Sequence, residues 1–319
     1  PEAARLLDEA RAGFAAISGE RSLDVAAVES ALGSVARAGG DLDGAERHHR
    51  ASLAIDRALR GEHHLDVARD LHNLAGVLRL RGDLTAALAT YTEALRLEVA
   101  LRGDTSVEAG LTHNSIGLVK MARADWAGAR AELELAATAL DAANHGDRAF
   151  AAHNLGLVHA AARDHRRALD AYARAAAIYA TTIGPGALAP IRLHLDRARS
   201  LAALGDPTAR LAATTAIAAA ADRTHLAWIA ADARALLAQL PAPARVSPGS
   251  PGTPPLAIDA PPPRRGDPPA TGRPALTPPP PRRGDPPATG RPALTPPPPP
   301  PPSKNEGRDV GVYGTSLPR

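Results

Sequence analysis

The sequence predicts an all-α protein: a solenoid of antiparallel helix pairs over residues 1–240, followed by a disordered proline-rich tail over residues 241–319. Three observations point there. A segment with a fixed small residue recurs at intervals of 42, 42 and 39 residues, marked by Ala45, Ala87, Ala129 and Ala168. Inside each interval, apolar residues return at the spacing of one helix face. The prolines are segregated: Pro1, Pro185, Pro190 and Pro207 precede residue 241, and 27 follow. The first part has the apolar content for a core, 45% of the whole chain being hydrophobic. The second has too little to offset the entropy of ordering.

The elements follow in chain order. Ala3, Leu7 and Ala10 have the pattern of a second helix whose first helix is absent, so the chain opens in mid-repeat and an upstream portion is expected. The first full unit runs through Leu32-Gly33 and Ala36 to Asp41–Ile55. In the second, Leu65–Leu80 carries Leu71, Leu74, Ala75 and Leu78 on one face. Arg81-Gly82-Asp83 then ends that helix, with Gly for a left-handed turn and Asp83 to cap the next. The following helix buries Ala87, Tyr91, Ala94 and Leu95. Ile116-Gly117 and Asp125–Leu140 form the third unit, which departs from the pattern by placing Lys120 where a bulky apolar residue belongs. Leu155-Gly156, His159 and Asp164–Ile178 form the fourth, and Arg197-Ala198, Leu201 and an alanine-rich helix around Ala209 the fifth. Thr224–Leu240 closes the stack, with Trp228 and Leu236 expected to cover the last unit. One helix pair cannot bury both faces; stacking on neighbours does.

The pairing of Leu74-Ala75, Leu78, Ala87, Tyr91 and Ala94 resembles the tetratricopeptide repeat, as does that of Leu155-Gly156, His159, Ala168, Tyr172 and Ala175. The period of about 42, the "LHNLA" and "HNLGL" stretches and the linker Leu59–Ala68 resemble the kinesin-light-chain subtype. The resemblance covers about residues 2–221 and implies a right-handed superhelix whose first helices line a concave groove. The alanine-rich repeats followed by a basic tail ending "RDVGVYGTSLPR" also resemble the C-terminal region of certain bacterial serine/threonine protein kinases. No Gly-rich phosphate loop, "HRD" or "DFG" occurs in this chain.

By the resemblance, groove positions fall at Ser30 and Arg37 in the first unit and at Arg69, His72, Asn73 and Arg79 in the second. Asn114 and Ser115 follow in the third, Phe150, His153 and Asn154 in the fourth, and Arg192 and Arg199 in the fifth. Their chemistry suits peptide capture. An Asn amide pairs with an extended backbone through one donor and one acceptor group, and Arg grips carboxylates bidentately. The competing reading is that the Asn and His side chains bond neighbouring helices and hold the stack. The leading function is a non-enzymatic scaffold that binds an acidic protein or peptide. The alternative is the sensor or docking region of a bacterial serine/threonine kinase. Self-association through the open N-terminal half-repeat, with Leu6 and Leu7 exposed, is a third possibility.

Composition narrows the rest. The chain has no cysteine, which excludes disulfides and thiolate chemistry and fits the cytoplasm. No cofactor is expected, and no residue set supplies a nucleophile, base and orienter. The net charge of +3 is uneven: residues 1–240 hold 27 basic and 29 acidic residues, whereas the tail holds ten and five. A near-neutral body argues against nucleic acid as partner. His48-His49 on one helix point about 100° apart, so neither pair-wise zinc binding nor another metal site is expected, and His49 stands where Tyr91 and Tyr172 stand. Arg-Gly-Asp at residues 265–267 and 283–285 recurs at 81–83 and 102–104 as helix punctuation, which argues against adhesion. In the tail, Pro261–Pro278 is repeated as Pro279–Pro296. Such a segment favours extended polyproline II, and proteolysis is expected to remove it first.

Overall fold

The computed structural model describes residues 2–221 and 223–241; the proline-rich tail and the expectations attached to it lie outside them. Twelve α-helices fill the described residues, with no strand. They are α1 (Glu2–Ser18), α2 (Leu23–Ala38), α3 (Leu42–Arg60), α4 (Leu65–Arg81), α5 (Leu84–Arg102) and α6 (Val107–Ala122). The second half holds α7 (Trp126–Ala142), α8 (Arg148–Ala161), α9 (His165–Thr182), α10 (Leu188–Ala203), α11 (Ala209–Ala220) and α12 (Ala227–Gln239). A single 3-10 turn, Thr224–Leu226, leads into α12. The pairs α2/α3, α4/α5, α6/α7, α8/α9 and α10/α11 are the five repeats, and each helix packs on the next in the chain.

The aspartates that open the repeated segment are the caps of the second helices. Asp41, Asp83, Asp125 and Asp164 each accept from the backbone N–H three residues on, at 2.8–3.2 Å. Each thereby satisfies an N–H that the helix leaves open. The residue before each aspartate is left-handed: Gly40 and Gly82 in the first two units, Ala124 (φ 57°) and Arg163 (φ 61°) in the next two.

The alanine ladder lies at the helix contacts: Ala45, Ala87, Ala129 and Ala168 are all fully buried. Opposite large side chains sit small ones. A Cβ on Gly33 would lie 2.7 Å from the His49 ring, one on Gly117 would lie 2.7 Å from Leu133, and one on Gly156 would enter the Tyr172 ring. Tyr91 meets Ala75 and Gly76 at the corresponding place. His49 is thus a packing residue. It is fully buried, and its pKa is pushed down to about 4, chiefly by burial and then by Arg37 and His48. Lys120 in the third unit is explained by α7: its Nζ donates to Glu132 at 2.7 Å, a carboxylate shared with His113.

The ends differ from the sequence expectation in two details. Trp228 stays 43% exposed, with Arg192 over its ring at 5.6 Å. Leu226, Ile229, Ala230 and Ala233 cover the last pair instead. After the 3-10 turn, α12 begins at Ala227 and faces Ile229 inward and Trp228 outward. At the other end α1 buries no residue fully, and Leu6, Phe14 and Ile17 face outward while Leu7 is half-buried. Arg11 fastens α1 by donating to Glu29 at 2.5 Å.

Candidate functional site

The first helices α2, α4, α6 and α8 meet around a cavity of about 410 Å³. Four residues of α4, His72, Asn73, Gly76 and Arg79, form one wall, and Leu111, Asn114, Ser115 and Leu118 of α6 face them. Arg37 enters from α2, Tyr91 rises from α5 at the floor, and Asp147 and Phe150 close the far end at the start of α8. The arrangement follows from helix geometry. Positions i, i+3, i+4 and i+7 share a face, and Leu111, Asn114, Ser115 and Leu118 have that spacing.

Seven predicted groove residues line this cavity: Arg37, His72, Asn73, Arg79, Asn114, Ser115 and Phe150. Arg37 and Arg79 are 42 residues apart, one repeat period, so stacking brings two guanidinium groups to one space. Both depress His72, whose pKa is pushed down to about 4, first by burial and then by these two charges. Arg37 makes no ion pair among the described residues. The charged groups among the described lining residues are the guanidiniums of Arg37 and Arg79 and the carboxylate of Asp147.

Six predicted residues lie elsewhere, Ser30 among them, which donates to Asp70. Arg69 shares the α4 face of His72, Asn73 and Gly76 but does not line the cavity; it is exposed and pairs with Asp66 at 2.5 Å. His153 is fully buried, bonded through Nε2 to Asp196 at 3.0 Å, edge-on to Tyr172 and within 3.4 Å of the Tyr179 hydroxyl. Asn154 is fully buried and donates to Asn114 Oδ1 at 2.9 Å. Arg192 and Arg199 both approach Asp196 at 3.4 Å, and Arg199 also donates to Asp232 at 2.7 Å. Burial opposes the charge of Asp196, yet His153 with the two arginines holds its pKa below the usual carboxylate range. His153, Asn154 and Arg199 thus bond to neighbouring helices, whereas the Arg69–Asp66 and Arg192–Asp196 pairs stay within one helix.

Sequence reasoning missed a polar ladder between successive first helices. Ser30 donates to Asp70 at 3.3 Å, His72 Nδ1 meets Thr112 Oγ1 at 2.7 Å, and Asn154 donates to Asn114. Each pair is 40 residues apart. That constant offset, close to the repeat interval, is the signal that reveals it. Asp70 is fully buried, and its pKa is pushed up to about 6 by burial and by Asp56, against the hydrogen bonds from Ser52 and Ser30. Gly76, Tyr91, Leu111, Leu118 and Asp147 were also missed; all but Asp147 and Tyr91 follow from the i, i+3, i+4, i+7 rule applied to α4 and α6.

A tetratricopeptide repeat family model matches residues 24–97, from the start of α2 into the last turns of α5. Residues 24–97 thus match the tetratricopeptide repeat, and the helix pairs that follow continue the same solenoid stacking. The fold is similar to that of BtubC (BKLC) from P. vanneervenii: TM-score 0.55 at 21% identity, covering 76% of this chain and 93% of that one. It is also similar to a putative kinesin light chain from Podosopora anserina with nearly identical TPR-like repeats, at TM-score 0.51 and 18% identity, covering 62% and 95%. A third likeness is the Rap conjugation gene regulator of plasmid pLS20, solved with the Phr* peptide. Its TM-score is 0.51 at 16% identity, over 62% of this chain and 54% of that one. No curated protein matches at a significant level. Tetratricopeptide arrays stack helix pairs so that their inner helices form an extended concave surface used for binding. Among the described residues no helix is long and apolar enough to cross a membrane.

Proposed function

We propose that this array is a non-enzymatic scaffold that binds a protein segment in the cavity between α2, α4, α6 and α8. The observation that carries it is the convergence of Arg37 and Arg79 from consecutive repeats on one space beside the amides of Asn73 and Asn114. Asn114 Oδ1 accepts from Asn154, so its NH2 group is left to donate. The Arg37 fork and the donor amides suit a carboxylate, and Leu111, Leu118 and Phe150 suit a large apolar side chain next to it. The partner is therefore an acidic segment with an adjacent leucine-like or aromatic residue. The Rap regulator, whose fold is similar, holds a peptide in its crystal structure, which supports a peptide-sized ligand. A cysteine-free chain fits a cytoplasmic setting. Fluorescence anisotropy with labelled acidic–apolar peptides tests the reading. Binding is expected to weaken with salt, because charges at a partly open site are screened over about 8–10 Å. Arg37→Ala is expected to weaken it about tenfold or more, since a charged hydrogen bond contributes about 1.5–3 kcal/mol. Salt-independent binding to Arg37→Ala at wild-type strength would sink it.

A second reading, docking beside a bacterial serine/threonine kinase domain, rests on the alanine-rich repeats running into the proline-rich basic tail. A kinase domain encoded in frame before Pro1 would favour it. Self-association through Leu6, Phe14 and Ile17 of α1 is a separate proposal, tested by sedimentation of the Leu6→Gln variant.

A further inference from the structure

The groove histidine is tied to a carboxylate buried behind it. His72 Nδ1 lies 2.7 Å from Thr112 Oγ1 on α6, and that oxygen lies 3.1 Å from Glu98 Oε1 on α5. Thr112 is fully buried, Glu98 is 3% exposed, and Glu98 Oε2 is buried with no hydrogen bond. The imidazole lines the cavity edge-on to Tyr91, and its Nε2 makes no hydrogen bond among the described residues. A hydroxyl has one proton and donates in one direction at a time. With Glu98 ionised, Thr112 donates to the carboxylate and accepts from Nδ1–H, so Nε2 is a bare acceptor. With Glu98 protonated on Oε1, the carboxyl donates to Thr112, Thr112 donates to Nδ1, and the imidazole proton sits on Nε2.

We propose that His72 Nε2 is switched from hydrogen-bond acceptor to donor by a proton relayed through Nδ1 and the Thr112 hydroxyl onto Glu98. The protons balance. One enters at Nε2 from the groove, the Nδ1 proton passes to Thr112 Oγ1, and the original hydroxyl proton passes to Glu98 Oε1. The buried acid thus exchanges with solvent through the groove itself. The regulatory consequence rests on the groove reading above: a ligand carboxylate or carbonyl seated at Nε2 takes up one proton on binding, and acceptors are favoured below neutral pH.

The charged surroundings put the proton on Glu98 rather than on the ring. On α5 and α6, burial first and then Glu108 push the Glu98 carboxyl up to about 7, against the Thr112 hydrogen bond. Its unbonded Oε2 is far less costly as a carbonyl than as part of a buried charge. Around His72, burial, Arg37 from α2 and Arg79 from α4 keep the imidazole neutral down to about pH 4. Asp147 stands on the far wall, and Tyr91 from α5 brings no charge.

The test uses the full chain with 15N-labelled histidine and no ligand. The ring-nitrogen shifts of His72 report which nitrogen carries the proton and are read from about pH 5.5 to about pH 8.5, the range in which such groups titrate. The proton is expected on Nδ1 at high pH and on Nε2 at low pH, with a midpoint near the Glu98 value of about 7 and the ring neutral throughout. Thr112→Val is expected to abolish the exchange and Thr112→Ser to restore it. Glu98→Gln is expected to leave one pH-independent tautomer, and it carries the test if Thr112→Val fails to fold. A single tautomer across the range in the wild type overturns the proposal, as does an exchange that persists in Thr112→Val or Glu98→Gln. With no ligand present, such a failure leaves peptide binding untouched. Conversely, an exchange observed in a chain that binds no acidic peptide overturns only the groove reading.

Discussion

Asn73 and Asn154 occupy equivalent positions in two repeats, 42 plus 39 residues apart, yet they do different work. Asn73 lines the cavity half-buried, whereas Asn154 is sealed from solvent and bonded to Asn114. The register alone assigns both to the groove. Asn154 lies 42 residues beyond Thr112, so it takes the ladder place that Thr112 holds in the third unit. Asn73→Ala is therefore expected to change stability by less than about 0.5 kcal/mol, as for most accessible substitutions, while weakening an acidic ligand. Asn154→Ala is expected to cost about 1–2 kcal/mol, the loss of a buried hydrogen bond. Urea melts of the two variants check this, and equal losses would contradict it. Ala87 was legible without ambiguity: fully buried at a helix contact, its replacement by Leu is expected to overpack and cost about 1–3 kcal/mol.

At the scale of the element, the helix boundaries were the most legible feature, because Asp caps and left-handed turns are local chemistry. Asp83 was read as a cap and is one, and Asp41, Asp125 and Asp164 repeat it. The first two units place Gly in the left-handed turn before the cap; the next two force Ala124 and Arg163 into it. A side chain there costs about 1–2 kcal/mol, partly offset by the greater freedom glycine has in the unfolded chain. Ala124→Gly is thus expected to stabilise by about 0.5–1 kcal/mol, measured as a rise in melting midpoint; no rise would mean that the turn is unstrained. The end of the stack was less legible. A 3-10 turn of three residues has no periodic signature, and Ile229 rather than Trp228 is buried on the helix after it.

For the whole molecule, the period of about 42 residues fixes both the apolar core and the polar ladder of buried side chains between first helices. The core was legible because apolar periodicity is visible in one repeat; the ladder was not, because its partners lie 40 residues apart. The ladder makes stability depend on pH. Asp70 and Glu98 have folded pKa values raised to about 6 and about 7. The fold disfavours their charged forms, so this stability is full below about pH 4 and is lost as pH rises to about 7. His49 and His72, lowered to about 4, act the other way: their neutral forms favour the fold above the free value of about 6.5, and that stability is lost as pH falls toward 4. The two slopes oppose each other between about pH 4 and 6.5, which flattens the wild-type profile. Glu98→Gln removes one slope, so the variant is expected to gain stability on the wild type at pH 8, by up to about 3 kcal/mol, and much less at pH 5.

The groove is the central claim, and the most direct measurement is a random-peptide selection on the full chain and on Arg37→Ala in parallel. The wild type is expected to enrich peptides with an acidic residue beside a leucine or aromatic residue, and Arg37→Ala is expected to lose that enrichment while melting like the wild type. Enrichment of basic or uncharged peptides, or an acidic set retained unchanged by Arg37→Ala, would contradict it.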